Sequence, residues 1–400
     1  MSIKSVSDLP VENSTVALRC DFNVPLDDAG SITDDLRIKA AIPTIRELLA
    51  RDAKVVILAH MGRPKGEVVA TFTLAPVATR LSKLLGTEVI FVSSTQPSEI
   101  AHLVESSPNG SVILLENVRF DPRETSKDPQ ARKELAAEWA QWADFYVAEG
   151  FGVVHRAQAS VTELADLVPC AAGSLVKRES DVFKGLLDSA ERPYTVVLGG
   201  SKVGDKLGVI ESLLPRVDNL LIGGGMAYTF LVAQGFEVGR SLQQPDFIEA
   251  VQGFMREAQD RGVQLLLPVD FVVAREFAPD SETAIVAADS IPSDWMGLDI
   301  GPKTCELYAS VIAHSATVVW NGPMGVFEMP AFASGTRAVA QAMASSSAFT
   351  VIGGGDSAAA IRVLGLDEDA FDHISTGGGA SLEFLEGKTL PGLAVLEGSK

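Results

Sequence analysis

With 400 residues, 46% of them apolar, the chain is too long for one growing core and too apolar for large-scale disorder, so two globular domains are expected. Its formal charge of −19 disfavours non-specific binding to nucleic acid or an anionic membrane, and an anionic ligand would have to be met by basic residues gathered in one place. Cys20, Cys170 and Cys305 form no Cys-x-x-Cys pair, no apolar run reaches roughly 18 residues, and Met1–Pro10 lacks a basic stretch before an apolar one, which excludes a disulfide framework, a membrane span and a signal peptide and leaves a cytoplasmic α/β protein as the expectation.

In chain order, the first strand is predicted at 16–22 and contains Cys20-Asp21-Phe22, with Asn23-Val24-Pro25 after it. A helical period follows at 37–51, with Asp34 and Asp35 ahead as caps and Pro43 inside, so a later start or a kink is expected. The strand at 54–59 leads into His60-Met-Gly62-Arg63-Pro64, and a helix is predicted over 74–85. Strands at 88–92 and 111–115 follow, the latter leading into Glu116-Asn-Val-Arg119-Phe120. After a helical stretch at 130–143, the strand at 144–148 precedes Glu149-Gly150-Phe151-Gly-Val-Val-His155-Arg156. Most of these strands are unbroken Val/Ile/Leu runs, as expected for a parallel sheet buried on both faces. Ligands of such sheets bind outside the carboxyl ends of the strands, so Arg37, Arg63, Arg119, Arg156 and His60 are expected to share one crevice. Guanidinium forks match carboxylate and phosphate oxygens, and this cluster is the gathering of positive charge that the acidic total requires.

Residues 173–190 read as one amphipathic helix, a stiff connector between domains. Beyond it, strands are predicted at 194–198, 219–222, 264–267, 317–320 and 349–352, with a helix at 246–261. The first leads into Gly199-Gly-Ser-Lys202-Val-Gly-Asp-Lys206, which spaces two lysines one helical turn apart. Gly223-Gly-Gly, Asn321-Gly-Pro-Met-Gly-Val-Phe-Glu328, Gly353-Gly354-Gly355-Asp356-Ser357 and Gly377-Gly378-Gly379 come later. Glycine after a strand lets backbone N–H groups approach phosphate oxygens, although tight packing selects it too. These loops indicate a nucleotide, with Asp356 offering a hard oxygen ligand to Mg²⁺. Gly387-Lys388-Thr389 only imitates a phosphate loop, because Leu382 stands where its first glycine belongs, and Gly353-x-Gly355-x-x-Ala358 lacks the ribose-binding acid of a dinucleotide site. The expected fold is α/β, two doubly wound parallel-sheet (Rossmann-like) domains joined by a helical hinge.

Arg19-x-Asp-x-Asn-Val-Pro25, His60-x-Gly-Arg-Pro64, Glu116-Asn-x-Arg-Phe120, Phe151-Gly-x-x-His-Arg156, Gly199-Gly-x-Lys-Val203, Asn321-Gly-Pro-Met-Gly-x-Phe-Glu328 and Ser375-Thr-Gly-Gly-Gly-Ala380 together resemble phosphoglycerate kinase, in that family's order and over essentially the whole chain. The resemblance implies reversible phosphoryl transfer between ATP and the carboxylate of 3-phosphoglycerate, by a monomer acting on small molecules. It implies that a domain at 1–172 binds 3-phosphoglycerate through Asp21, Asn23, Arg37, His60, Arg63, Arg119 and Arg156. A domain at 191–380 would hold Mg²⁺ with ATP or ADP through Lys202, Lys206, Gly297, Asn321, Glu328, Gly354, Gly355, Asp356 and Ser357, and residues 381–400 would return to the first domain. Arg37, Lys202 and the glycines Gly378 and Gly379 are the expected stabilisers of the transferring group, with Asp356 on the metal. The chain departs from the family pattern at Glu149 and Gly150, where Asp-Ala is frequent, at Gln158, where histidine is, and at Gly204, where serine is. A binding protein that kept the fold without catalysis is the rival reading, ahead of a nicotinamide-dependent dehydrogenase; retention of Arg37, Lys202 and Asp356 argues against the former.

Overall fold

The computed structural model describes residues 3–398, so the outermost two residues of the expected spans 1–172 and 381–400 lie outside it. Backbone packing divides the chain into two compact units, one running to Asp181 and resuming at Thr389, the other covering Val182–Lys388. The first cut falls inside a helix, Ser174–Asp188, within the stretch expected to connect the domains.

In the first unit, β1 (Thr15–Arg19), β2 (Lys54–Leu58), β3 (Val89–Val92), β4 (Val112–Leu115), β5 (Phe145–Ala148) and β6 (Cys170–Ala172) form one sheet in the order β3-β4-β2-β1-β5-β6. Every pairing is parallel, with Val16 opposite Val55 and Ala17 opposite Tyr146. Side chains of both faces are buried, in keeping with the apolar runs of β4 and of β2 beyond Lys54. The chain winds from β1 through β4 on one side and then reverses to β5 and β6 on the other. The β1–β5 border is therefore the point where loops diverge and a crevice opens.

The helix Leu36–Ala50 continues through Pro43, so the expected late start is not observed. Its missing N–H bond is offset by burial of Ile38, Ala41, Ile45 and Leu48 against the sheet. The Asp34 carboxylate accepts the Leu36 N–H at 2.9 Å, while Asp35 instead pairs with Lys39 and Arg80. A predicted helix at 130–143 is shorter, Pro129–Trp139, and starts where Asp128 accepts the Gln130 N–H.

In the second unit, β7 (Tyr194–Leu198), β8 (Asn219–Ile222), β9 (Gln264–Leu266), β10 (Asp270–Ala274), β11 (Thr283–Ala287), β12 (Met296–Ile300), β13 (Thr317–Asn321), β14 (Phe349–Gly353) and β15 (His373–Ile374) make two sheets. The larger is parallel, in the order β15-β14-β13-β7-β8-β9, and reverses between β7 and β13. The smaller, β11-β10-β12, is antiparallel and was not foreseen. Two acids, Asp270 and Asp299, interrupt its apolar runs, and β11 alternates exposed and half-buried residues.

The helix Gly379–Leu385 stays with the second unit, and the return to the first begins at Thr389. There the helix Pro391–Glu397 packs so closely that the Gly392 N–H reaches the Val154 carbonyl at 2.8 Å. Among the described residues, no helix is long and apolar enough to cross a membrane.

Candidate active site

Arg19 closes β1, and the loop after it carries Asp21 and Asn23 to the β1–β5 border. Arg37, on the first turn of its helix, donates to the Asn23 carbonyl at 3.1 Å and lies 3.0 Å from the Asp21 carboxylate. The Asn23 amide oxygen accepts the Gly62 N–H at 2.8 Å, and Arg119 donates to the Gly62 carbonyl at 2.8 Å. Asn117 holds the same loop through the Met61 carbonyl at 2.7 Å. The loops after β1, β2 and β4 are thus tied into one wall. Gly62 has φ +61°, and a Cβ there would fall 2.5 Å from the Phe72 ring, so glycine is required.

His60 is buried in the middle of this wall, and Arg119 is nearly so, whereas Arg63 and Arg156 are exposed. Burial first, and then the guanidinium charges of Arg19, Arg119, Arg37 and Arg156, hold the His60 imidazole well below its ordinary pKa. The same crowding, again after burial, brings Arg119 down to about 10. Among the described residues its buried Nε has no hydrogen-bond acceptor. An unpaired donor amid mutually repelling cations is suited to meeting a small anion. Asp21, Asn23, Arg37, His60, Arg119 and Arg156 are therefore gathered in one place; Arg63 stands beside them on the Gly62 loop.

Three residues outside the expected set belong to this site. Arg19, Glu124 and Ser160 are fully buried beneath it, linked by Arg19 Nε to Ser160 Oγ at 2.6 Å and Ser160 Oγ to Glu124 Oε1 at 2.6 Å. In the sequence Arg19 stood out only as the first residue of Arg19-x-Asp-x-Asn-Val-Pro25, inside the strand predicted at 16–22.

In the second unit the glycine loops divide into two classes. A Cβ on Gly199 would fall 2.2 Å from the Pro323 carbonyl, one on Gly223 2.3 Å from the Met324 sulfur, and one on Gly224 2.6 Å from the Gly200 nitrogen. Gly199 and Gly223–Gly225 thus serve loop packing at the β7–β13 reversal. Gly200, Gly355 and Gly378 face open space instead. At the carboxyl end of β13, Asn321 is buried, its oxygen accepts from Lys206 Nζ, and among the described residues its Nδ2 donor has no acceptor. A Cβ at Gly354 would lie 2.9 Å from that Nδ2, so the orphan donor lies under the Gly353–Gly354 turn. Burial pulls the Lys206 ammonium down to about 8, against the attraction of Asp205, Asp356 and Glu386.

Asp356 is exposed on the first turn of the helix Gly355–Val363, and the buried Ser357 hydroxyl is occupied by the Gly322 N–H at 2.7 Å. Lys202 is exposed on the loop after β7. Gly378 has φ +53° and leads into the helix that begins at Gly379. Gly297 lies in β12, its N–H taken by Ser241 Oγ at 2.9 Å and its Cα against the Tyr228 hydroxyl. The exposed Glu328 follows a loop joined to β12 by the Val326 N–H and Leu298 carbonyl at 2.9 Å. Among the described residues, no group of three or more His, Cys, Asp or Glu could cage a metal. One exposed carboxylate fits an ion such as Mg²⁺ that keeps several waters and shares phosphate oxygens.

The family profile described as "Phosphoglycerate kinase" matches residues 6–388. A protein from Streptomyces griseus named phosphoglycerate kinase is 56% identical over 99% of this chain and 100% of its own length, and one from Bifidobacterium adolescentis is 54% identical over 99% and 100%. Among solved structures, the phosphoglycerate kinase from Coxiella burnetii superposes with a TM-score of 0.88 at 40% identity, over 100% of both chains. The one from Pyrococcus horikoshii gives 0.86 at 34% identity over 99% of both chains.

Proposed function

The chain belongs to the phosphoglycerate kinase family, a phosphotransferase of glycolysis, and on that premise we propose how its two units divide the reaction. The first unit holds 3-phosphoglycerate through Arg37, Arg63, Arg119, Arg156 and His60, with Asp21 and Asn23 orienting the loop. The observation that carries this is the convergence of the Arg19, Arg37, Arg119 and Arg156 guanidinium charges on the buried His60, in a chain whose net charge is −19.

The second unit takes ATP or ADP. Lys206, the unpaired Asn321 amide and the Gly354–Gly355 turn would meet the phosphates, Gly297 and Glu328 the nucleoside, and Ser357 fixes the Gly322 loop. Asp356 would hold Mg²⁺, which when bound lowers the negative charge of the nucleotide phosphates. The acceptor carboxylate is ionised at neutral pH and needs no general base. The barrier is the approach of two anions, so the working groups are cations and N–H donors: Arg37, Lys202 and the backbone of Gly378 and Gly379. With acceptor and donor held by different units, transfer requires the hinge between them to close and shut out water. Cys20, Cys170 and Cys305 form no disulfide, and the reading places the protein in the cytoplasm as a monomer.

A coupled assay with 3-phosphoglycerate and MgATP tests the whole reading; activity with neither direction of transfer would end it. Within it, Arg156→Ala removes an exposed side chain with no core packing to lose. We expect KM for 3-phosphoglycerate to rise about ten- to a hundredfold, one charge-assisted contact, with kcat within a few fold. An unchanged KM beside a large fall in kcat would contradict the assignment.

A further inference from the structure

His60 is surrounded by Arg19, Arg37, Arg119, Arg156 and Asp21, and its proton has two possible homes. Arg19 Nη2 lies 3.4 Å from His60 Nδ1 in hydrogen-bonding geometry. Arginine has donors and no acceptor, so Nδ1 must be the acceptor and the ring proton must sit on Nε2. The competing partner for Nδ1, the Asp21 carboxylate, is 4.0 Å away, beyond hydrogen-bond reach. The tautomer is therefore decided by where Arg19 is held.

Arg19 is 1% exposed and held from several sides. Its Nε donates to Ser160 Oγ at 2.6 Å, and its Nη1 to the Cys20 carbonyl and, at 3.5 Å, to that of Leu58. Ser160 Oγ can accept from Arg19 because its own proton goes to Glu124 Oε1 at 2.6 Å. Glu124 fixes the serine a second time by accepting its backbone N–H at 2.9 Å, and its carboxylate lies 3.9 Å from Arg19 Nη2 as the buried counter-charge. Neither Glu124 nor Ser160 has any exposure, so neither can touch a ligand.

We propose that Glu124, Ser160 and Arg19 are positioning residues that lock His60 in its Nε2–H tautomer, making it a neutral hydrogen-bond donor to an anionic oxygen of the bound acid. This rests on the reading of the crevice as the 3-phosphoglycerate site. A neutral donor adds no further cation to a crowded cluster, and burial with four neighbouring guanidinium groups keeps it uncharged.

The test is the ¹⁵N spectrum of ring-labelled histidine in the full chain, which has five histidines; His60 is assigned by the signals lost in His60→Asn. Protonated Nε2 and bare Nδ1 are expected throughout about pH 6 to 8. A dominant Nδ1–H tautomer, or an imidazolium forming near pH 6.5, overturns the proposal. Ser160→Ala should mix the tautomers and raise KM for 3-phosphoglycerate roughly three- to tenfold, with kcat within about twofold and Ser160→Thr restoring both. An unaltered tautomer in Ser160→Ala overturns the relay. Glu124→Gln is the harsher variant, since it strips a buried cation of its counter-charge, and the serine variant decides if that protein misfolds. Adding 3-phosphoglycerate separates the two readings: ring signals that show the locked tautomer yet do not move would sink the site assignment while the lock stands.

Discussion

Lys202→Ala lowers kcat by roughly 10²–10⁵, the scale lost when a cation is removed from a transferring phosphoryl group. The fold should not notice. Lys202 is exposed on the loop after β7, and a substitution at such a position shifts stability within about 0.5 kcal/mol. Both KM values should stay within a few fold, because Lys206, Asn321 and the Gly354 turn remain to hold the nucleotide. The contrast with Lys206 sharpens the expectation. Lys206 is buried, its ammonium is weakened to about 8, and it is already bonded to Asn321, so it belongs to ground-state binding. Lys202 is exposed, and its charge can be delivered as negative charge spreads over the equatorial oxygens. Near-normal kcat in Lys202→Ala would remove the central cation from the mechanism; a fall in kcat matched by loss of folded protein in circular dichroism would reassign the residue to structure.

The residues that could be found from sequence are those whose chemistry is unusual for their place. An arginine or histidine at or in the loop after a strand, as at His60, Arg119 and Arg156, is conspicuous because the buried strands before it are otherwise apolar. Both parallel sheets were legible for the same reason. The strands β6 and β15 were not, since Cys-Ala-Ala and His-Ile carry too little pattern and are ordered by neighbours already in place. The antiparallel sheet β11-β10-β12 escaped because its buried acids serve remote backbone: Asp270 accepts the N–H groups of Lys303 and Thr304, and Asp299 that of Gly335. In a one-dimensional pattern they resemble loop residues. Glycine was ambiguous in a different way. Gly223–Gly225 and Gly355 look alike in sequence, yet the first group is packed against Met324, Gly200 and Ser201 while Gly355 faces open space. Only tertiary contact separates a glycine needed by the fold from one needed by a ligand. Buried support is the least visible class, because Glu124 and Ser160 lie in polar stretches that give no sign of complete burial.

Glu149→Gln should stabilise the first unit by roughly 3–5 kcal/mol at pH 8 and by little at pH 4.5. Glu149 directly follows β5, is almost wholly buried, and lies against Gly173, where a Cβ would be 1.9 Å from its carboxyl oxygen. Burial raises its pKa from 4.5 to about 8; the hydrogen bonds of Thr44, the Leu175 N–H and Ser174 oppose this, and Glu47 adds repulsion. The folded chain thus prefers the neutral acid. The sign follows from linkage: below pH 4.5 both states hold the proton and the group costs nothing. As pH rises towards 8, the unfolded chain releases that proton while the folded one must keep it, so stability falls; above 8 the loss is complete. Glutamine keeps an acceptor for the Leu175 N–H and two donors for the Thr44 and Ser174 hydroxyls, and it has no proton to release. Native-state hydrogen exchange of the β1 and β5 amides reads the first unit by itself. Protection in the unaltered protein should decline between about pH 5 and 8 relative to Glu149→Gln, after correction for intrinsic exchange. Parallel profiles would mean that Glu149 is ionised in the folded chain, stabilised where it lies at the start of the helix Ser174–Asp188.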